Sequence, residues 1–250
     1  MNLVIDIGNT RVKAGLFEGP ELKHSFVLDR YTPSENGTIA QIESIILSGH
    51  KVKNCIVATV VDPIDDFVEL LRKKLPTLLF TSKTPVPLEN KYSSAATLGS
   101  DRLAAAVGGY ILFPGKNILV IDTGTCIKYN FVSKENKYLG GGISPGLNMR
   151  FKALHTFTSR LPLLDADDTF NAITGSTTAE SIQSGAGGGA VLEINGFIEQ
   201  YRGLYPDICI VLTGGDANFF EKRLKKPIFT DSFLILKGLN AILDYNLSSN

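Results

Sequence analysis

At three places in this chain a short apolar run ends in a turn that pairs an acid with glycine. Leu3-Val4-Ile5 leads into Asp6-Ile7-Gly8-Asn9-Thr10, Leu119-Val120-Ile121 into Asp122-Thr123-Gly124-Thr125, and Ile210-Val211-Leu212 into Thr213-Gly214-Gly215-Asp216. Glycine in such a turn lets backbone N–H groups close on an anion with no Cβ in the way, which makes phosphate the natural ligand. A carboxylate facing a phosphate chain repels it unless a cation lies between. Asp6 therefore implies a bridging ion, most simply Mg²⁺ through water, with Lys13 neutralising further phosphate charge. A hairpin whose Asp only accepts backbone bonds would use the same residue types, so the turns alone do not decide the chemistry.

A fourth segment adds an acid and a base. Gly99-Ser100-Asp101-Arg102 opens the helical pattern of Leu103, Ala104, Ala106, Val107 and Tyr110. An acid and a cation at a helix N-terminus suit an anionic substrate. Asp101 is placed to take the proton of a substrate hydroxyl and Arg102 to clamp a carboxylate. The plainer reading is an N-capping Asp with a solvated Arg. The G-x-x-x-x-G-K-[ST] phosphate loop is absent from the chain. The run Gly185-Ala186-Gly187-Gly188-Gly189-Ala190 follows a helical pattern rather than a strand, so it reads as a flat helical face for close packing and not as a dinucleotide loop. His24, His50 and His155 lie outside every motif.

The elements that must hold these residues are α/β in both halves. The segment Leu119 to Gly124 repeats Leu3 to Gly8 at five of six positions, 116 residues later, which points to a duplicated lobe. Val12, Ala14 and Leu16 alternate with polar or small residues as a second strand. Thr38 precedes a helix carrying Ile39, Ile42, Ile45 and Ile46 and stopped by Gly49, and Asp62-Pro63 reads as the cap of a helix with Ile64, Phe67, Val68, Leu71 and Leu75 on one stripe. Ile56 to Val61 is a buried strand between them. In the second half, Thr177-Thr178-Ala179-Glu180 predicts a capping box opening a long helix toward Tyr201. The expected lobes are residues 1–115 and 116–250.

Composition narrows the partners. The 250 residues are 44% hydrophobic, enough for a substantial core, and 25 Lys plus Arg balance 25 Asp plus Glu. No global field of either sign would hold the chain to nucleic acid or anionic lipid, so a small molecule is the expected partner. Cys55, Cys126 and Cys209 are odd in number and widely spaced, which supports neither a disulfide framework nor zinc and fits a reducing cytoplasm. No leader pattern or membrane-spanning run is read in the sequence.

Taken together, these motifs resemble those of the type III pantothenate kinases, within the actin, sugar kinase and heat-shock ATPase superfamily. The carriers are Asp6-Ile7-Gly8-Asn9-Thr10-Arg11-Val12-Lys13, Gly99-Ser100-Asp101-Arg102, Ile121-Asp122-Thr123-Gly124-Thr125, Gly140-Gly141-Gly142-Ile143-Ser144-Pro145-Gly146 and Thr213-Gly214-Gly215-Asp216, in that order along nearly the whole chain. The resemblance implies a two-lobed, duplicated actin-like (ribonuclease H-like) fold with ATP in the cleft between lobes. It also implies phosphorylation of pantothenate to 4′-phosphopantothenate, the first step toward coenzyme A, by a homodimer using Mg²⁺ with ATP and a monovalent cation, K⁺ or NH₄⁺. Carried over by position, Asp6, Ile7, Gly8, Asn9, Thr10, Arg11, Val12, Lys13 and Thr125 would contact ATP. Asp101 would be the base, Tyr92, Gly99, Ser100, Asp101, Arg102 and Thr178 would hold pantothenate, and Asp122 would ligand K⁺. Cys126 and Thr123 stand at positions of that second turn where the resemblance is loosest. A sugar or acetate kinase would share the Asp6 and Gly214-Gly215 turns, and a non-catalytic regulator on this fold could lack Asp101 or Lys13, both of which are present.

Overall fold

A computed structural model describes residues 1–32, 37–47, 49–61 and 64–248. The expected cap at Asp62-Pro63 lies outside the described residues. Contacts divide the chain into two compact units. One comprises Met1–Pro114, Asn136–Tyr138 and Phe233–Asn250; the other comprises Gly115–Glu135 and Leu139–Ser232.

The first unit begins with β1 (Asn2–Ile7), β2 (Val12–Glu18) and β3 (Glu21–Leu28), followed by α1 (Thr38–Leu47), β4 (Asn54–Thr59), α2 (Asp65–Arg72), β5 (Thr77–Leu79), β6 (Glu89–Asn90) and α3 (Ser100–Leu112). Its sheet runs β3-β2-β1-β4-β5, antiparallel within β1-β2-β3 and parallel for β1-β4-β5. Strands rich in Val and Ile suit this pleated, doubly covered position. Leu3, Ile5, Ile7, Val57 and Ala14 form one core with Ile42 of α1 and Phe67, Val68 and Leu71 of α2. The apolar stripe expected from Ile64 to Leu75 is buried throughout.

The second unit contains β7 (Ile118–Thr123), β8 (Cys126–Val132), the end of β9 (Lys137–Gly140), β10 (Ile143–Pro145), α4 (Leu147–Thr156), α5 (Thr178–Ile182), α6 (Gly189–Leu204), β11 (Cys209–Thr213), α7 (Ala217–Glu221) and β12 (Phe229–Thr230). The path β12-β11-β7-β8 repeats the pattern of the first unit: a central strand, an antiparallel hairpin partner, and two parallel strands on its other side. Its core gathers Leu119, Ile121, Tyr129 and Leu212 with Phe151 of α4, Ile194 and Ile198 of α6, and Phe220 of α7.

The last helix, α8 (Leu234–Ser248), belongs to the first unit, where it crosses α3. Two glycines set that crossing: a Cβ on Gly238 would lie 2.0 Å from the Ala104 carbonyl oxygen, and one on Gly108 would lie 2.5 Å from that of Leu234. The capping box at Thr177 and Glu180 forms as expected. The helix it opens is not regular, however. Gln183–Gly188 is a π-helical turn between α5 and α6, since glycines contribute neither helix propensity nor side chains to fix the tighter ladder.

Candidate active site

In the first unit, Asp6 and Lys13 face each other across the β1–β2 ladder, and Gly8 closes the turn by donating its N–H to the Arg11 carbonyl at 3.0 Å. Asn9, Thr10 and Arg11 are exposed at its tip, whereas Ile7 and Val12 are fully buried and hold the turn from beneath. Ile7 also pairs with Thr59 of β4. The Thr59 carbonyl accepts a hydrogen bond from Ser100 Oγ at 2.8 Å. That bond fixes the start of α3 beside the strand ends that carry the Asp6 turn.

Gly99 is the N-cap residue of α3 and Asp101 lies in its first turn. Asp101 Oδ1 accepts the Arg102 backbone N–H at 2.7 Å. Arg102 is not a solvated surface cation; it is 5% exposed and its guanidinium lies 5.4 Å from the centre of the Tyr92 ring. A buried guanidinium over an aromatic face suits recognition of an anion, and the Asp101 carboxylate is held by the Arg102 backbone N–H. Tyr92, Gly99, Ser100, Asp101 and Arg102 are thus brought together by one helix start and the segment before it.

In the second unit the turns after β7 and β11 lie against each other. Asp216 donates its N–H to the Thr123 carbonyl at 2.9 Å, and Thr123 Oγ1 donates to the Thr213 carbonyl at 2.8 Å. Gly214 has φ +103°, and a Cβ there would lie 2.4 Å from the Thr123 carbonyl oxygen. Gly146, preceding α4, comes equally close: its N–H donates to the Thr125 carbonyl, and a Cβ would lie 2.2 Å from the Gly124 oxygen. Thr125 is left exposed at the tip. Thr178 opens α5 and lines a cavity of about 1210 Å³ with Pro145, Met149, Phe157, Leu161 and Ser181.

Two groups in this unit lie outside the sequence motifs. Lys128 faces Asp122 across the β7–β8 ladder and donates Nζ to Asp122 Oδ2 at 2.8 Å, with the two side chains 18% and 6% exposed. Lys128 stands opposite Asp122 as Lys13 stands opposite Asp6, but the constant 116-residue offset leads from Lys13 to Tyr129, so only the strand register shows the equivalence. Behind the same hairpin, Glu193 of α6 accepts from Tyr129 Oη at 2.9 Å, from Ser144 Oγ and from Arg150 Nη2. Burial pushes the Glu193 carboxyl up, but the hydrogen bonds from Ser144, Arg150 and Tyr129 outweigh it and hold the group below its ordinary value. Arg150 Nε also donates to the Pro145 carbonyl at 2.9 Å, so the network anchors the segment that presses Gly146 onto Thr125.

Among the described residues no helix is long and apolar enough to cross a membrane. The model of the type III pantothenate kinase family matches residues 2–200. Type III pantothenate kinases of Flavobacterium johnsoniae and Bacteroides fragilis are 41% and 45% identical to the chain, covering 100% and 98% of both partners respectively.

The chain belongs to the type III pantothenate kinase family.

Membership makes it a kinase. The fold agrees with that of actin-like phosphotransferases: the ROK hexokinase of Thermus thermophilus superposes with a TM-score of 0.55 at 15% identity, covering 99% of each chain. The Flavobacterium johnsoniae sequence matches along the chain's whole length, through both compact units.

Proposed function

We propose that this chain phosphorylates pantothenate with ATP to give 4′-phosphopantothenate, the entry step of coenzyme A synthesis. The observation that carries the reading is the buried Arg102 stacked near Tyr92 with Asp101 beside it at the start of α3. Pantothenate bears a carboxylate and a primary hydroxyl, and that pair of groups matches a buried guanidinium and an adjoining acid. Arg102 takes the carboxylate, with Tyr92, Gly99 and Ser100 shaping the pocket around it, and Thr178 is a further pantothenate contact. Asp101 orients the hydroxyl and receives its proton as the oxygen attacks the γ-phosphate.

ATP contacts are assigned to Asp6, Ile7, Gly8, Asn9, Thr10, Arg11, Val12, Lys13 and Thr125. The exposed turn tip and its backbone N–H groups form the phosphate cradle. An aspartate beside that cradle is an oxygen donor suited to Mg²⁺, which protein sites commonly hold by one or two carboxylates plus phosphate and water. Asp6 would hold the ion, and when bound it would neutralise phosphate charge. In a loose transition state, positioning and charge neutralisation outweigh the basicity of Asp101. The chain acts in the cytoplasm, with neither nucleic acid nor membrane as partner.

The carboxylate contact has a direct test. Pantothenol keeps the hydroxyl but lacks the carboxylate, and should show a KM about 10–100-fold above that of pantothenate, a loss typical of a charge-assisted hydrogen bond. Arg102→Met should raise the KM for pantothenate by a similar factor and erase the difference between the two acceptors, leaving the KM for ATP in place. If the variant still prefers pantothenate, Arg102 does not read the carboxylate.

The chain is further proposed to work as a homodimer. Phe157 and Ile173 are 85% and 88% exposed in the second unit, and burying them would be favourable. Sedimentation should give a mass of twice the 27.1 kDa chain; a single-chain mass at working concentration would contradict it.

A further inference from the structure

The family resemblance assigns a monovalent cation to Asp122, yet the structure gives that carboxylate a different companion. Lys128 Nζ lies 2.8 Å from Asp122 Oδ2, a charge-assisted contact between side chains 18% and 6% exposed. Register fixes the pair. Asp122 and Lys128 are Cα partners across β7 and β8, and Ile127 and Tyr129 on either side of Lys128 are fully buried, so the strand cannot slip without unpacking the core. A second unit charge at this carboxylate would sit within a few ångströms of the ammonium in a largely desolvated place, where like charges repel strongly. These residues therefore do not fit a resident K⁺ or NH₄⁺ at Asp122.

We propose that the Lys128 ammonium is itself the fixed monovalent cation of this turn, and that nucleotide binding and phosphate transfer by this chain need no added K⁺ or NH₄⁺. A tethered cation loses no translational freedom on arrival, so it supplies its charge at every salt composition. The inference rests on reading the Asp122-Thr123-Gly124-Thr125 turn as part of the nucleotide site. Lys128 is then an electrostatic counterpart to Lys13 on the duplicated hairpin.

The test is calorimetric ATP binding with Mg²⁺ to the full chain, first with tetramethylammonium as the sole monovalent cation and then with K⁺ or NH₄⁺. Phosphate transfer is followed in the same buffers. The wild-type chain should hold ATP with affinity and turnover unchanged within about twofold, because an ion that binds no state preferentially shifts nothing. Lys128→Ala should lose about tenfold in ATP affinity in tetramethylammonium and regain most of it when K⁺ enters the vacated volume. More than about fivefold activation of the wild-type chain by K⁺ overturns the proposal, as does a Lys128→Ala chain no more K⁺-sensitive than wild type. The wild-type arm decides alone if the variant does not fold. Failure of the wild-type chain to bind ATP with any cation would instead overturn the nucleotide-site reading, whereas K⁺-dependent binding overturns only the role of Lys128.

Discussion

Asp101→Asn should lower turnover by roughly 10²–10⁴-fold while leaving ATP affinity within about twofold of wild type. The substitution is chosen to preserve shape. Asp101 Oδ1 accepts the Arg102 N–H at 2.7 Å, and an Asn carbonyl oxygen can accept the same bond, so the start of α3 and the seat of Arg102 are retained. What disappears is the negative charge and the ability to take a proton from the substrate hydroxyl. ATP contacts are assigned to the separate turn after β1, which is why nucleotide binding should survive. Paired measurements of kcat and of the ATP dissociation constant check this; near-normal turnover would remove Asp101 from its role, and loss of ATP binding would show that the substitution acts through the fold.

Gly214→Ala should destabilise the second unit by about 2–5 kcal/mol, combining overpacking with backbone strain. Alanine disfavours the φ of +103°, and its methyl would lie 2.4–2.5 Å from backbone atoms of Thr123. Thr123 is fully buried between Asp122 and Gly124, so it cannot yield without moving the turn that carries Asp122 and Thr125. Both the melting temperature and ATP affinity should fall. The neighbouring Gly215 provides a control within the same turn: a Cβ there meets nothing within 4 Å, so Gly215→Ala should stay within about 0.5 kcal/mol of wild type. Equal effects at the two glycines would mean that the close approach to Thr123 is not what matters.

What could be read in the sequence was local. The Asp6 and Asp122 turns end strands because short Val/Ile runs and glycine announce themselves within six residues, and the α3 start follows from its apolar periodicity. The burial of Arg102 was not legible, because an Asp-Arg pair at a helix start is most often solvated. Lys128 became visible only with the strand register, which places it opposite Asp122. The Glu193 network draws on Tyr129, Ser144 and Arg150, and no periodic pattern links a helix residue to a hairpin tens of residues earlier. Likewise α8 returns to the first unit through the glycines at 108 and 238, a pairing across most of the chain that composition does not reveal. The glycine run at 185–189 predicts a flat helical face, and the π-helical turn found at Gln183–Gly188 reflects how weakly glycine specifies one ladder over another.

The central claim is tested most directly by incubating the chain with ATP, Mg²⁺ and pantothenate and identifying the phosphorylated product by mass and by position of the phosphate. The account predicts 4′-phosphopantothenate formed in step with ADP. ADP released with no phosphorylated pantothenate, or phosphate transferred to a sugar hydroxyl in preference, would contradict it.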